Sequence, residues 1–231
     1  MSGDRIRVAI VDDQPLFASG MQMLIEAQTD LECVGIATNG EESLALVERV
    51  QPDIVLMDLR MPVLNGIEAT RLILADRGTA ETPRVIVLTT IQRDEAVYSA
   101  LRAGASAFLT KDATPADVLA TIRATHDGLS TVTDSASIGL VREFGSSRDA
   151  RSEDSLHERL SGREHEVMLA VADGHTNAQI AADAHLSEAT VKSHVRSVLS
   201  KLNLRSRVHI VIYAYENGLI SARTASARRT Q

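Results

Sequence analysis

What limits the folding of this chain most is an alternation in its first half, where a short aliphatic run gives way five times to a longer stretch of helical periodicity. The runs Ile6–Val11, Val34–Thr38, Ile54–Met57, Val85–Thr89 and Ala107–Leu109 have strand length and β-branched character, and they predict buried strands. Pro15–Ala27, Glu41–Val50, Gly66–Ala75, Asp94–Ala103 and Pro115–His126 carry apolar residues at three- and four-residue spacing and predict helices. Repeated strand–helix units imply a parallel sheet with helices on both faces. Right-handed crossovers leave few ways to wind it. The expected fold is a flavodoxin-like, doubly wound α/β domain with five parallel strands in the order 2-1-3-4-5.

That domain is expected to occupy residues 1–127 of the 231. Residues 128–157 lose period and fill with Ser, Thr, Asp, Gly and Arg apart from the apolar stretch Ile138–Phe144, which predicts a partly helical linker. Residues 158–222 are expected to form a small all-α four-helix domain, with 223–231 a disordered tail. Ser161-Gly-Arg-Glu164 and Thr176-Asn-Ala-Gln179 have capping-box spacing, Ser187 and Ser206 stand as N-caps for the third and fourth helices, and Gly174 fits a helix stop.

A chain 44% hydrophobic and 24% charged has enough apolar residues for packed cores, which argues against disorder. No run approaches the ~20 apolar residues of a membrane helix, and Met1–Arg7 lacks an apolar leader, so a cytoplasmic protein with no membrane partner is expected. Cys33 is the only cysteine, which excludes an internal disulfide and a cysteine-rich zinc site. The charge is divided: residues 1–130 carry 11 basic against 19 acidic side chains, and residues 158–231 carry 10 against 7. Two halves of opposite sign suggest two different partners.

In the winding just described, Asp12 and Asp13 end the first strand, Asp58 the third and Thr89 the fourth, with Lys111 just past the fifth. All five fall at the carboxyl edge of the sheet, where ligands bind in such folds. Three carboxylates meeting there repel one another unless a cation joins them, and oxygen ligands without His or Cys suit Mg²⁺. A carboxylate beside Mg²⁺ can attack a phosphoryl group, with metal and lysine offsetting charge on the transferred oxygens. Asp58, alone on the central strand, is the best nucleophile. Thr89 can donate a hydroxyl hydrogen bond to the new phosphate, and Lys111 can supply an ammonium.

Val-Asp-Asp at 11–13, Leu-Met-Asp-Leu-Arg-Met-Pro at 56–62, Asn-Gly at 65–66, Val-Leu-Thr-Thr at 87–90 and Phe-Leu-Thr-Lys-Asp at 108–112 resemble the receiver domains of bacterial two-component response regulators. The resemblance spans residues 5–127. It implies a sensor histidine kinase as phosphodonor and Mg²⁺ held by Asp13, Asp58 and the Arg60 carbonyl, with Asp12 acting through water. It also implies a coupled switch, in which Thr89 moves toward the phosphate and the ring of Phe108 turns inward.

In residues 188–202 the apolar Val191, Val195, Val198 and Leu202 define a buried stripe, which places Lys192, Ser193 and Arg196 on the opposite face. From Ala189 to Tyr215 the charged residues are Lys192, Arg196, Lys201, Arg205 and Arg207, with no acid among them. A basic helix after a short helix and turn can enter a DNA major groove. Leu160-Ser-Gly-Arg-Glu164, Gly174, Asn177, Ile180-Ala, Leu186-Ser, Thr190-Val-Lys-Ser-His-Val195, Lys201-Leu and Arg205-Ser-Arg207 resemble the LuxR-type helix-turn-helix, and the whole chain resembles the NarL/FixJ group of response regulators. The resemblance implies base contacts from Lys192, Ser193 and Arg196, with Thr190, His194, Lys201 and Asn177 nearer phosphates or the helix-turn framework.

Together these readings predict a transcription regulator rather than an enzyme. Its expected partners are a sensor kinase, double-stranded promoter DNA, a second copy on activation, and RNA polymerase. A haloacid-dehalogenase-type phosphatase needs a second Asp two residues after the nucleophile, where Arg60 stands. A flavin site would require a first loop that cradles phosphate, whereas Asp12-Asp13-Gln14-Pro15 would repel it. A regulator of the same architecture that acts without phosphorylation is the remaining alternative.

Overall fold

A computed structural model describes residues 5–75, 82–90, 95–128 and 159–220. The chain divides into two compact units, Met1–Thr133 and Asp134–Gln231. The linker stretch Ile138–Phe144, Asp94 and the tail after residue 220 lie outside the described residues.

The N-terminal unit runs β1 (Ile6–Val11), α1 (Pro15–Glu26), β2 (Leu31–Ala37), α2 (Gly40–Val50), β3 (Ile54–Asp58), α3 (Gly66–Ala75), β4 (Arg84–Thr89), α4 (Glu95–Arg102), β5 (Ala107–Thr110) and α5 (Pro115–His126). All neighbouring strands pair in parallel, in the order β2-β1-β3-β4-β5. This is the doubly wound sheet that the alternating pattern requires. Every residue of β3 is buried, as are all of β4 except Arg84, because helices cover both faces of these inner strands. One packed layer joins Val8, Ile10, Leu56, Ile86, Leu88 and Leu109 to Ile25 of α1 and Ile122 of α5.

Strand β2 begins three residues earlier than its aliphatic run, because Leu31 pairs with Ile6 and Glu32 with Arg7. The pairing slips between Val8 and Ala9, leaving Val34 as the extra residue of a bulge. An edge strand tolerates Glu32 and a bulge where an inner strand would not, so the apolar pattern understates its length.

Helix starts follow their caps. The Asn39 side chain accepts the Glu42 N–H, and Thr114 accepts that of Asp117 with Pro115 in the first turn. Arg84, at the start of β4, reaches across to the carbonyls of Thr125 and His126 at the end of α5. Its guanidinium joins the Gly128 N–H on the Thr125 carbonyl, at the end where a helix leaves carbonyls without intrahelical partners.

The C-terminal unit contains α6 (Gly162–Ala172), α7 (Asn177–Asp183), α8 (Glu188–Lys201) and α9 (Arg207–Glu216) among the described residues. Ser161 with Glu164 and Thr176 with Gln179 form two-way capping boxes, and Ser187 accepts the Thr190 N–H. Ser206 departs from expectation: it occupies the N-cap position of α9, but its hydroxyl pairs with His209 Nδ1 at 2.9 Å instead of with the backbone. Gly174 stops α6 with φ +90°, a conformation that costs a residue bearing a Cβ. Val167, Met168 and Val171 of α6, Ile180 of α7, Val191, Val195 and Val198 of α8, and Ile210 of α9 share one core. Four short helices without a sheet depend on this shared burial, since each alone is too short to be stable in water.

Candidate functional site

Because all five strands run the same way, their carboxyl ends meet at one edge. Asp12 and Asp13 follow β1, Asp58 is the last residue of β3, Thr89 the last of β4, and Lys111 follows β5. One carboxylate oxygen from each of Asp12, Asp13 and Asp58 lies within 4.8 Å of the other two. Asp12 is 1% and Asp58 4% exposed, whereas Asp13 faces solvent. Lys111 Nζ lies 2.8 Å from Asp12 Oδ2 and 2.8 Å from Asp58 Oδ2. The Phe17 ring of α1 covers this ammonium, with its centroid 4.8 Å away, a cation–π contact that also limits water on that side.

Backbone groups complete the arrangement. Arg60 N–H donates to Asp58 Oδ1 at 3.3 Å and Gln14 N–H to Asp12 Oδ1 at 2.9 Å. Lys111 N–H donates to the Thr89 carbonyl at 2.7 Å, which joins the ends of β4 and β5. Thr89 is buried, and so is Phe108, which pairs in register with Val87.

Burial is the largest influence on Asp12 and pushes its carboxyl up, against the opposing pull of Lys111 and the Gln14 N–H. Burial by itself would depress the Lys111 ammonium, but hydrogen bonds and charge from Asp12 and Asp58 outweigh it and raise the group above its ordinary value. Lys111 therefore stays cationic and bridges two buried carboxylates that would otherwise repel. Asp12 Oδ2 is buried with this ammonium, 2.8 Å away, as its only partner among the described residues. A buried carboxylate oxygen with an open lone pair, in an all-oxygen cluster, is compatible with Mg²⁺.

Gly66 also belongs to this site. A Cβ there would lie 2.0 Å from the carbonyl oxygen of Asp58 and 3.0 Å from Leu59 Cα, both backbone atoms. The start of α3 thus presses on the peptide that carries Asp58, and Asn65 caps the helix by accepting the Glu68 N–H at 3.0 Å. Glycine after a capping Asn just beyond Asp58 was the available sequence signal. Gly66→Ala is expected to cost the N-terminal unit about 3 kcal/mol, and to lower its Tm by about 10 °C in calorimetry of the full chain. An unchanged Tm would refute the close packing.

In the C-terminal unit, α8 buries Val191, Val195, Val198 and Leu202 and exposes Ser193 and Arg196, with Lys192 and His194 half-exposed and Thr190 in its first turn. The expected basic residues do not all remain on the surface. Arg207 is 4% exposed and donates to Asn177 Oδ1 at 2.9 Å and to the His175 carbonyl, tying α9 to α7. Lys201 Nζ lies 2.6 Å from Glu164 Oε2. Asn177 and Lys201 thus have partners within the unit, while Arg196 projects outward.

Glu164 is 6% exposed. Lys201 first, then the Ser197 hydroxyl and the Ser161 N–H, pull its carboxyl from the ordinary 4.5 down to about 2. A depressed carboxyl stabilises the folded state above its unfolded value, and that contribution is lost as pH falls through the folded one. Acid unfolding of the full chain is expected to show the C-terminal unit weakening between pH 4.5 and about 2, a dependence that Glu164→Gln should flatten. An equally steep dependence in the variant would contradict this assignment.

A doubly wound sheet carrying three carboxylates and a lysine at its carboxyl edge, in one chain with a helix-turn-helix unit, defines a signal-receiving regulator that binds DNA. Residues 8–123 match the response regulator receiver domain model, and residues 158–214 match the model for bacterial regulatory proteins of the luxR family. The chain is 36% identical over 220 residues to a transcriptional regulatory protein of Bacillus subtilis, YxjL, covering 95% of this chain and all of that protein. It is 34% identical to the transcriptional regulatory protein LiaR of the same organism, covering 94% and 100%. The crystal structure of a LuxR-family two-component response regulator from Aurantimonas superposes with TM-score 0.55 at 31% identity, over 62% of this chain and 100% of that one. The chain belongs to the LuxR/NarL family of two-component response regulators. Among the described residues, no helix is long and apolar enough to cross a membrane.

Proposed function

We propose that the protein is a cytoplasmic transcription regulator activated by phosphotransfer from a sensor histidine kinase to Asp58, and that activation promotes dimerisation and promoter binding through α8. The Lys111 ammonium, held 2.8 Å from both Asp12 and Asp58, is the observation that carries this reading. A fixed cation beside a buried carboxylate is suited to charge building on a transferred phosphoryl group.

An Asp58 oxygen attacks phosphorus of the kinase phosphohistidine, a P–O bond forms, the P–N bond breaks, and the imidazole leaves. Asp13, Asp58 and the Arg60 carbonyl would hold Mg²⁺, with Asp12 acting through water; when bound, the metal supplies charge neutralisation and polarises the phosphoryl oxygens. Lys111 keeps one positive charge 2.8 Å from Asp58 Oδ2, and the Arg60 N–H already points at Asp58 Oδ1. The product adds roughly −1.5 to −2 charge beside Thr89. Thr89 donates its hydroxyl to that phosphate, and Phe108 repacks behind it. Thr89 and Phe108 are both buried, and close-packed interiors favour a discrete change over a continuous one.

On DNA, Lys192, Ser193 and Arg196 read base edges, and Thr190 and His194 lie nearer phosphates. Lys201 and Asn177 serve the framework, in keeping with their pairs to Glu164 and Arg207. RNA polymerase is a further partner.

Selection from a randomised duplex pool, with and without Mg²⁺ and acetyl phosphate, tests the coupling. Paired half-sites enriched only in the treated sample are expected, because dimerisation raises affinity through effective concentration. Equal enrichment in both samples would favour the regulator that acts without phosphorylation.

A further inference from the structure

Glu164 does more than cap a helix. Its Oε2 accepts the Ser161 N–H at 2.7 Å and the Lys201 ammonium at 2.6 Å, and its Oε1 accepts the Ser197 hydroxyl at 2.5 Å. Ser197 and Lys201 stand four residues apart and so lie one turn apart on one side of α8. A single buried carboxylate on α6 therefore grips α8 at two points, and two grips on one helix face resist rotation about its axis.

The same geometry sorts the charges of α8. At 3.6 residues per turn, Lys201 lies roughly 140° around the helix from Arg196 and roughly 180° from Lys192. Arg196 is exposed, whereas Lys201, with 43% of its side chain exposed, ends on an anion that is itself 6% exposed. Depression of the Glu164 carboxyl to about 2 keeps that anion charged at neutral pH.

We propose that Glu164 is a positioning residue for DNA recognition: it sets the rotation of α8 and holds the charge of Lys201 away from the DNA backbone. On mixed-sequence DNA, where the base contacts proposed for Lys192 and Arg196 are not made, phosphate neutralisation by α8 then comes from those two side chains. Lys201, which charge and sequence position alone would assign to the DNA contact surface, is spent inside the protein. This rests on α8 being the recognition helix.

Counterion release makes the proposal measurable, since each phosphate neutralised adds about 0.9 to the slope of log Kobs against log salt. The experiment titrates the full-length protein against a mixed-sequence DNA duplex by fluorescence anisotropy, between about 50 and 200 mM salt. Glu164→Gln keeps an amide oxygen for the Ser161 N–H, so the capping box survives while Lys201 is released. Its slope is expected to steepen by about 0.9, with tighter binding at low salt. Lys201→Met is expected to keep the wild-type slope, and the Glu164→Gln/Lys201→Met double variant to return to it. Arg196→Ala, measured in parallel, should lower the slope by about 0.9 and so support the face assignment. An unchanged slope in Arg196→Ala removes the recognition-face reading itself. With Arg196→Ala shallower, an unchanged Glu164→Gln slope, or a shallower Lys201→Met slope, overturns the proposal alone. Lys201→Met leaves the capping box intact, so it decides the matter even if Glu164→Gln fails to fold.

Discussion

Lys111→Met is expected to slow phosphoryl transfer to Asp58 by about 10²–10³-fold at saturating Mg²⁺, the usual consequence of removing one preorganised charge from a transition state. Methionine keeps an unbranched side chain of similar length beside Phe17, so the charge is what changes. Asp12 and Asp58, at 1% and 4% exposure, then face each other without the ammonium now 2.8 Å from each. Asp12, already pushed up by burial, loses the neighbour whose hydrogen bond and charge oppose that shift. A metal ion would restore part of the neutralisation but not the ammonium beside Asp58 Oδ2. The rate of incorporation from radiolabelled acetyl phosphate measures the effect. A variant within threefold of wild type would show that Lys111 serves only the resting ion pair.

Arg196→Ala and Lys192→Ala are expected to weaken specific binding by about 10- to 100-fold each, the cost of about 1–3 kcal/mol for losing a side chain that reaches a base edge. Neither change touches the core of the C-terminal unit, which rests on Val191, Val195, Val198 and Leu202 on the opposite side of α8. Folding and the labelling of Asp58 should therefore remain as in wild type. Anisotropy with a duplex recovered by selection provides the measurement. Undiminished binding by both variants would remove α8 from the DNA interface. The two residues sit one turn apart, so the double variant should depart from simple additivity.

What the sequence makes legible, and what it does not, follows from the range of the interactions. The receiver sheet is written locally, in strand-length aliphatic runs separated by amphipathic stretches, and chain order then places Asp12, Asp13, Asp58, Thr89 and Lys111 at one edge. Capping boxes at Ser161 and Thr176 are equally local, with both partners three residues apart. The start of β2 was obscured because an edge strand admits Glu32 and a bulge at Val34. Ser206 has the right residue type for a cap, yet the nearby His209 ring competes for its hydroxyl.

Long-range pairing was the larger gap. A count of basic residues treats Lys201 and Arg207 as surface charge, but Glu164 lies 37 positions before Lys201 and Asn177 lies 30 before Arg207. Nothing in the spacing shows that those partners close on them. Phe17 over Lys111 and Gly66 against the Asp58 carbonyl are of the same kind, since each depends on how a helix packs at the strand ends. The expected chemistry of the acidic edge was readable from residue types; the resting ion pair that holds it together was not.

The claim that Asp58 is the residue through which this regulator receives its signal is tested most directly by locating the phosphoryl group. Full-length protein is treated with Mg²⁺ and acetyl phosphate, trapped with hydroxylamine, digested and sequenced by mass spectrometry. A hydroxamate on Asp58, absent without Mg²⁺ and absent from Asp58→Asn, is the predicted result. No trapped residue, or one found elsewhere while Asp58 stays unmodified, would contradict it.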